Sequence, residues 1–443
     1  MTLSWRRLRA GRGAAKEGEA GDMELTIPNH FRCPISLELM KDPVTLSTGI
    51  TYDRQSIETW IEAGNFTCPI TNQVLTSFDP IPNHTIRKMI QGWCVEKKSF
   101  GIERIPTPRI PISSVQVTEI LSKITTSSHH ENKDDCRVLV AKIKALAKES
   151  ERNKRCIVAS GTGSVLAGAF NAFSTSQHHQ NVAVLEEILS ALTLVFPLDK
   201  EANLYLGSPA SLCCMVWFLE SGDFSQRRNA SLVLKETAVS SDHDHQKIDA
   251  LAEIEGALEV LVKLIKEPVC PTSTKASLVI MYQMVNSSSS SLSKEKIKER
   301  FVELGLVSLL SDILVDAERS ICEKALGVLD GLCGSKQGRE KAYLHALTMP
   351  VVVKKILRVS DLATEFSVSI LWKLCKNETR EDGGVLVEAL QVGAFQKLLL
   401  LLQVGCAERT KDKVTDLLKA LNIHRERLEC IDSMDFKQLK RPF

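Results

Sequence analysis

The 443-residue sequence has no apolar run long enough to cross a membrane. Its longest, five leucines after Lys397, is far short of the roughly 20 residues that a spanning helix requires. Charges of the two signs nearly cancel, leaving a formal net charge of +2. The composition therefore gives no electrostatic argument for a nucleic-acid partner or an anionic membrane surface. The sequence predicts a soluble protein that neither spans a membrane nor binds nucleic acid.

Disulfide patterns and catalytic motifs are also missing. The 13 cysteines are odd in number and show no disulfide or zinc-finger spacing, which predicts reduced, mostly buried thiols. With no recognisable signal peptide, this favours the cytoplasm, with the nucleus as an alternative. No nucleophile–base set, phosphate-binding Gly-rich loop or carboxylate pair stands out. We therefore predict no catalytic residue, cofactor or metal of its own.

The most distinctive stretch runs from Ile27 to Cys94. Two similar segments, Cys33-Pro34-Ile35-Ser36 and Cys68-Pro69-Ile70-Thr71, bracket a short helical pattern. This is the layout of a RING finger, but Ser36 and Thr71 stand where each zinc elbow needs its second thiolate. Three cysteines and two histidines are too few for two four-ligand sites. We predict loops held by hydrogen bonds and packing; the alternative, a zinc RING, requires stoichiometric metal.

Between the two segments the sequence predicts a hairpin followed by a helix. Two β-rich triplets flank Gly49, and Asp53 stands at the N-cap position of the helix. Trp60 is offset from the core face of this helix, toward the groove between the loops, and Gly64 ends the helix. A second helix is expected from about Asn83. The polar network expected to replace zinc comprises Glu38, Asp42, Asp53 and Arg54.

The rest of the chain divides by composition. Residues 1–23 are predicted to be a disordered tail rather than a targeting signal, 24–100 a small α+β domain, and 101–118 a proline-containing linker. From 119 to 430, similar blocks begin at Gly163, Pro209, Gly256, Gly305, Pro350 and Gly393. Their spacings are 46, 47, 49, 45 and 43 residues, typical of armadillo or HEAT repeats. Their Gly-Ala-hydrophobic openings favour armadillo. Residues 431–443 are predicted to be a tail.

The combined motifs resemble the U-box, the zinc-free relative of the RING in ubiquitin ligases. A U-box followed by helical repeats is similar to plant U-box proteins with armadillo repeats, which implies a mostly α fold. The resemblance implies a ligase that binds a ubiquitin-loaded conjugating enzyme through the U-box and a protein substrate on the solenoid. Transfer would proceed by positioning, without a covalent ubiquitin intermediate on this chain.

The resemblance also implies site residues. The expected contacts with the conjugating enzyme are Ile35, Val44, Trp60 and Pro69, although Val44 could act through the core beneath the surface. The expected loop supports are Cys33, Pro34, Asp53, Arg54, Cys68 and Asn72. Asn72 and Gln73 occupy the positions where some relatives place a basic residue that bridges the conjugating enzyme and ubiquitin.

Other functions are weighed against this one. The alternative is an armadillo scaffold or adaptor protein with an inactive U-box, against which Ile35, Trp60 and Pro69 argue. An importin-like receptor needs recurring tryptophans, whereas the solenoid has only Trp217 and Trp372. Members of the family sometimes dimerise through the U-box, so a homodimer is left open. By family association alone, stress, hormone or immune signalling in plants is expected.

Overall fold

The computed structural model describes residues 27–78, 80–100, 102–103, 105, 112–175, 180–239, 245–286, 291–377 and 384–435. The chain divides into two compact units, Met1–Ile110 and Pro111–Phe443. Each has its own hydrophobic core among the described residues. The predicted tail at 1–23 and the prolines of the predicted linker (Pro106, Pro108 and Pro111) lie outside the described residues.

The first unit is built on a small antiparallel sheet. Strand β1 (Pro43–Thr45) pairs with β2 (Thr51–Asp53), with Val44 opposite Tyr52. The turn between them contains Gly49 at a φ of 81°, a left-handed conformation that favours glycine. The predicted hairpin is confirmed. A third strand, β3 (Ile81–Pro82), pairs with the other edge of β1 and is not predicted by the sequence.

Two helices complete the first unit. Helix α1 (Arg54–Glu62) follows β2 directly, and Gly64 at a φ of 85° lies just beyond its end. Helix α2 (His84–Glu96) begins after Asn83, whose side chain accepts a hydrogen bond from Ile86 N. Both predicted helices are confirmed. The core between sheet and helices is filled by fully or nearly buried side chains: Phe31, Met40, Val44, Leu46, Tyr52, Ile57, Leu75 and Ile90.

The second unit is helical throughout its described residues. Its helices are α3 (Ser114–His129), α4 (Lys133–Glu149), α5 (Glu151–Ala159), α6 (Thr162–Thr175), α7 (Val182–Leu192), α8 (Lys200–Leu206), α9 (Pro209–Ser221), α10 (Phe224–Val239), α11 (His245–Glu253), α12 (Ala257–Lys266), α13 (Pro271–Asn286), α14 (Ser291–Glu303), α15 (Leu306–Asp316), α16 (Arg319–Leu332), α17 (Lys336–Leu344), α18 (Thr348–Lys355), α19 (Asp361–Lys376), α20 (Gly384–Gln391), α21 (Ala394–Val404) and α22 (Glu408–Asp435).

From α5 onward these helices group in threes. The third helices of successive groups, α7, α10, α13, α16, α19 and α22, pack side by side along the solenoid. Three helices per repeat are typical of armadillo rather than two-helix HEAT repeats. The predicted α-solenoid is confirmed. Gly256, Gly305 and Gly393 precede the second helices α12, α15 and α21 at φ values of 77–81°, so the recurring glycines mark a left-handed bend.

Two boundaries differ from those predicted. Helix α3 begins at Ser114, inside the predicted linker, because Ser113 and Gln116 form a capping box. Helix α22 continues to Asp435, so the predicted tail begins inside it. Within the described ranges no single helix combines the length and apolar composition needed to cross a membrane. Three bent helix pairs, α5–α6, α8–α9 and α20–α21, meet those criteria only when their two members are taken together.

Candidate functional site

The first Cys-Pro-Ile segment of the N-terminal unit is a tight loop closed by its own backbone. Cys33 N donates to Glu38 O at 2.8 Å, and Leu37 N donates to Cys33 O at 2.8 Å. An isolated β-bridge between Arg32 and Leu39 joins the ends of the loop. Leu37 has a φ of 59°, an uncommon conformation for a bulky residue. The loop therefore makes a sharp turn around the thiol of Cys33.

The second segment repeats this geometry. Cys68 N donates to Gln73 O at 2.8 Å, and Asn72 N donates to Cys68 O at 2.9 Å. Thr67 and Val74 form the matching bridge, and Asn72 has a φ of 55°. Asparagine tolerates this left-handed conformation better than most residues. The left-handed backbone at position 72 is thus a reason for asparagine to support this loop. The two loops have equivalent hydrogen bonds and bridges.

Hydrogen bonds surround the two thiols. Cys33 Sγ accepts from Asp53 N at 3.3 Å. Cys68 Sγ lies 3.0 Å from the Tyr52 hydroxyl and accepts from Thr48 Oγ1 at 3.4 Å. Both cysteines are fully buried. Among the described residues, no three His, Cys, Asp or Glu side chains come together as metal ligands would. Chain atoms therefore provide the partners that tie each loop to the hairpin.

The environment of Cys68 favours its thiolate. Burial raises the pKa of the Cys68 thiol. Hydrogen bonds from Thr48, Thr71 and Tyr52 outweigh the effect of burial and lower the pKa to about 6. Burial also acts to raise the pKa of the Cys33 thiol, but hydrogen bonds from the backbone N–H groups of Ser36, Asp53 and Ile35 outweigh this effect, so the pKa is lowered. Burial and the bond to Cys68 raise the pKa of Tyr52. Loop two is thus held by charge-assisted hydrogen bonds.

A pH titration tests this arrangement. Because the pKa of Cys68 falls from 9.0 to about 6 on folding, its stabilising contribution is complete above pH 9 and is lost as pH falls through 6. The measurement is the thiolate absorbance at about 240 nm of the folded wild type, from which the absorbance of Cys68→Ser is subtracted. We expect this difference to titrate with a midpoint near pH 6. Thr48→Val, which removes a donor, should move the midpoint upward. A midpoint near 9 would show that the thiol is neutral at physiological pH.

Asp53 ties the first loop to the hairpin rather than capping α1. Its Oδ1 accepts from Lys41 N at 2.8 Å and Asp42 N at 2.9 Å, and its side chain makes no capping bond to the helix. Asp53 is the N-cap residue by position, as predicted, but its carboxylate does not cap α1. The backbone N–H groups of the preceding loop reach the carboxylate first, and the role in the polar network remains.

Asp42 is the centre of that network. Its Oδ2 accepts from Arg54 Nε at 2.7 Å, and its Oδ1 accepts from Arg87 at 3.1 Å. Arg87, on α2, is not predicted by the sequence because it lies 45 residues from Asp42. Glu38 takes part through its backbone carbonyl, which accepts from Cys33 N. The described residues give its carboxylate no partner.

Three of the four expected contact residues reach the surface. Ile35, Trp60 and Pro69 are each half-buried. Trp60 Nε1 donates to Thr67 O at 2.9 Å, which fixes the indole of α1 against loop two. Two further apolar side chains emerge from the loops, Leu37 at 65% exposure and Ile70 at 53%. Neither is predicted, because alternation alone does not reveal which side chain a tight loop turns outward.

Val44, the fourth expected contact residue, does not reach the surface. Its side chain is fully buried in the middle strand of the sheet. Of the two roles left open by the sequence, support from the core is therefore the one that fits. Pro34 is half-buried in loop one. The expected supports Cys33, Cys68, Asp53, Arg54 and Asn72 all take part in the loop or network contacts described above.

The solenoid offers a second surface along its third helices. Tyr282 on α13 and Phe366 on α19 meet edge to face at 5.9 Å across α16. Gly327 on α16 makes this possible, since a Cβ there would lie 3.0–3.1 Å from both rings. Farther along, Lys376 lies 4.3 Å and Lys413 5.9 Å from the centre of the Trp372 ring. This row of aromatic and basic groups spans four successive third helices.

Comparisons with known proteins agree with both units. The family model "U-box domain" matches residues 27–99, and "Plant U-box protein ARM repeat region" matches 116–441. An Arabidopsis thaliana relative, "U-box domain-containing protein 21", is 48% identical over 95% of this chain and 94% of its own. Another from the same plant, "E3 ubiquitin-protein ligase PUB23", is 36% identical over 90% of this chain and 93% of its own.

Two solved structures align with part of this chain at low sequence identity. An engineered protein aligns with a TM-score of 0.51 at 15% identity, covering 70% of this chain and 71% of its own. A designed armadillo repeat protein aligns with a TM-score of 0.46 at 18% identity, covering 58% of this chain and 99% of its own. The two family matches and the full-length plant relatives decide the assignment. The chain belongs to the plant U-box proteins that carry an armadillo-repeat region.

Proposed function

We propose that this protein is a ubiquitin-protein ligase whose U-box binds a ubiquitin-loaded conjugating enzyme. The observation that carries the proposal is the surface formed by Ile35, Trp60 and Pro69, with the indole fastened to loop two. A partly exposed tryptophan amid apolar neighbours is a typical anchor of a protein interface. Leu37 and Ile70 extend the apolar area on either loop. The relatives named as ubiquitin ligases support the same function.

The chemistry we propose is positioning. The thioester cysteine belongs to the conjugating enzyme, and the U-box restrains the loaded ubiquitin while a substrate lysine attacks. Holding both reactants in an attack-ready geometry removes a large entropic part of the barrier. The two thiols of the loops take no part, because Cys33 and Cys68 are fully buried. Catalysis then needs no nucleophile from this chain.

We assign substrate binding to the solenoid. Stacked third helices form a continuous surface whose side chains can vary without disturbing the core. The row formed by Tyr282, Phe366, Trp372, Lys376 and Lys413 has the aromatic and basic character that suits a peptide carrying carboxylates. Its lysines and rings would provide both charge and apolar contact.

Asn72 sets the expected strength of ubiquitin activation. Its side chain is exposed at the end of loop two, where an amide can donate a hydrogen bond but carries no charge. The left-handed backbone at this residue favours asparagine over a long basic side chain. We therefore expect a ligase that restrains ubiquitin less tightly than a relative with a basic residue there.

The test is self-ubiquitination in a purified system. Full-length protein is incubated with activating enzyme, ubiquitin, ATP and a broad panel of conjugating enzymes. An ATP-dependent ladder on this chain is the expected result. Absence of a ladder with every conjugating enzyme would instead indicate an adaptor with an inactive U-box.

A further inference from the structure

A buried lysine and a buried cysteine meet where two repeats of the solenoid join. Lys355 is the last residue of α18 and is 9% exposed, and Cys322 in α16 is 1% exposed. Lys355 Nζ donates a hydrogen bond to Cys322 Sγ at 3.2 Å. Cys322 Sγ in turn donates to Ala317 O at 3.1 Å. An amine and a thiol from helices of successive repeats are therefore in direct contact inside the protein.

The lysine of this pair has no carboxylate partner. Among the residues that the structure describes, Cys322 Sγ is the only hydrogen-bond partner of the Lys355 ammonium group. Burial of a charged amine is unfavourable unless a strong partner compensates it, and a thiol is a weak acceptor. The C-terminal end of α18 offsets only part of this cost. Stability alone therefore does not account for the contact.

Neighbouring hydrogen bonds hold the two side chains together. Arg319 Nε donates to Val359 O at 3.1 Å, and Glu323 accepts a hydrogen bond from Ser360 Oγ at 2.6 Å. These bonds tie the first turn of α16, on both sides of Cys322, to the segment between α18 and α19. The amine and the sulfur are thus held in place, and a reaction between them needs no movement of the helices.

We propose that Cys322 and Lys355 form a modification site at which hydrogen peroxide joins the two side chains by an S–N bond. The sulfur first attacks the peroxide: an S–O bond forms, the O–O bond breaks and water leaves. The sulfur is thereby oxidised by two electrons to a sulfenic acid. Sulfenic acids condense with a thiol or with a nearby nitrogen.

The second step joins the two helices. The Lys355 nitrogen attacks the oxidised sulfur, an S–N bond forms and the S–O bond breaks. The hydroxyl group leaves as water with one proton of the ammonium group, and a second proton passes to the solvent. Because the nitrogen is already 3.2 Å from the sulfur, it captures the sulfenic acid ahead of a second peroxide molecule. The product links α16 covalently to α18 of the next repeat.

The end of α18 gives peroxide a route to the pair. Hydrogen peroxide is little larger than water, and the last turn of a helix opens locally at a lower cost than its interior. Leu357, two residues after Lys355, has a φ of 59° and is 36% exposed. The chain therefore reaches the surface directly after the buried amine.

The test is mass spectrometry of the full-length protein, treated with hydrogen peroxide and digested without a reductant. A peptide pair joined through Cys322 and Lys355 should appear, about 2 Da lighter than the sum of its two separate peptides. Trypsin should no longer cleave after Lys355, because its amine is consumed. Dithiothreitol should restore the thiol and the cleavage and leave as its own disulfide. Hydrogen exchange between α18 and α19 should be slower in the linked protein.

Two other cysteines and two variants are the controls. Peroxide is added until the exposed Cys213 is oxidised. Cys136 is also fully buried, and its thiol has no hydrogen bond within the described part of the chain, so it should stay reduced. Cys322→Ser and Lys355→Gln should each give no link, and in Lys355→Gln a cyclic diketone should capture the sulfenic acid of Cys322.

The wild type alone decides the outcome, so the result does not depend on how well the variants fold. Oxidised Cys213 without a Cys322–Lys355 link would overturn the proposal. Recovery of Cys322 as a sulfinic acid with a free Lys355 would do the same, because the amine would then have failed to capture the sulfur.

Discussion

Trp60→Ala should weaken binding of the conjugating enzyme about 100-fold and abolish the self-ubiquitination ladder. A tryptophan anchor at an interface typically contributes about 2–4 kcal/mol. Trp60 also donates its indole N–H to Thr67 O. Truncation therefore removes both the contact with the conjugating enzyme and the hydrogen bond that holds loop two. Binding is measured by calorimetry and transfer by the rate of ladder formation with the conjugating enzyme that serves the wild type best.

Two variants separate contact from folding. Trp60→Phe keeps an aromatic surface but loses the bond to Thr67, and should retain part of the activity. Val95→Ala truncates an apolar side chain that is 59% exposed on α2 and belongs to neither loop, so it should leave activity unchanged. Hydrogen exchange across residues 27–100 reports whether the unit stays folded. An active, folded Trp60→Ala protein would show that the indole is not the anchor.

Val44→Arg should unfold the first unit and remove all ligase activity. Val44 is fully buried in the central strand of a three-stranded sheet, opposite Tyr52 on one side and Pro82 on the other. A guanidinium buried there would lose its hydration, and such a charge costs several kcal/mol. A unit of this size has a margin of about 5 kcal/mol or less. We expect hydrogen-exchange protection to vanish from residues 27–100 and to persist in the solenoid.

The matched control places the same charge on the surface. Val95→Arg introduces an arginine at an exposed position of the same unit and should preserve both protection and activity. The pair distinguishes a core role for Val44 from a contact role. Were Val44→Arg to keep full hydrogen-exchange protection while losing conjugating-enzyme binding, the side chain would have to act at the surface.

The sequence predicts those turns, helix starts and repeats whose formation depends on residues close together in the chain. Gly49 marks the hairpin because its left-handed backbone excludes most other residues, and Asn83 marks the start of α2 because its side chain caps the helix. The repeat spacing predicts the solenoid because each repeat must bury the same face against its neighbour. The capping residues Ser113 and Gln116 also lie in the sequence and could have placed the start of α3.

Features that depend on distant contacts are not predicted. Arg87 joins the network only because α2 folds back beside Asp42. Strand β3 is two exposed residues long and has no periodicity of its own; its pairing with β1 creates it. Asp53 fits a helix N-cap by every local rule, yet the N–H groups of Lys41 and Asp42 take its carboxylate. The folded structure brings the N–H groups of Lys41 and Asp42, and not those of α1, within hydrogen-bond distance of the Asp53 carboxylate.

The joints between successive repeats also bear on how such a chain can change length in evolution. Ser311 of α15 lies 2.9 Å from Thr348 of α18, and both residues are buried where one repeat meets the next. Because each repeat packs mainly against its neighbours, duplication or loss of one whole interior repeat leaves every remaining joint with a repeat on both sides. Gain or loss of part of a repeat would instead leave buried side chains such as these facing water. Solenoids of this kind should therefore change length in steps of whole repeats.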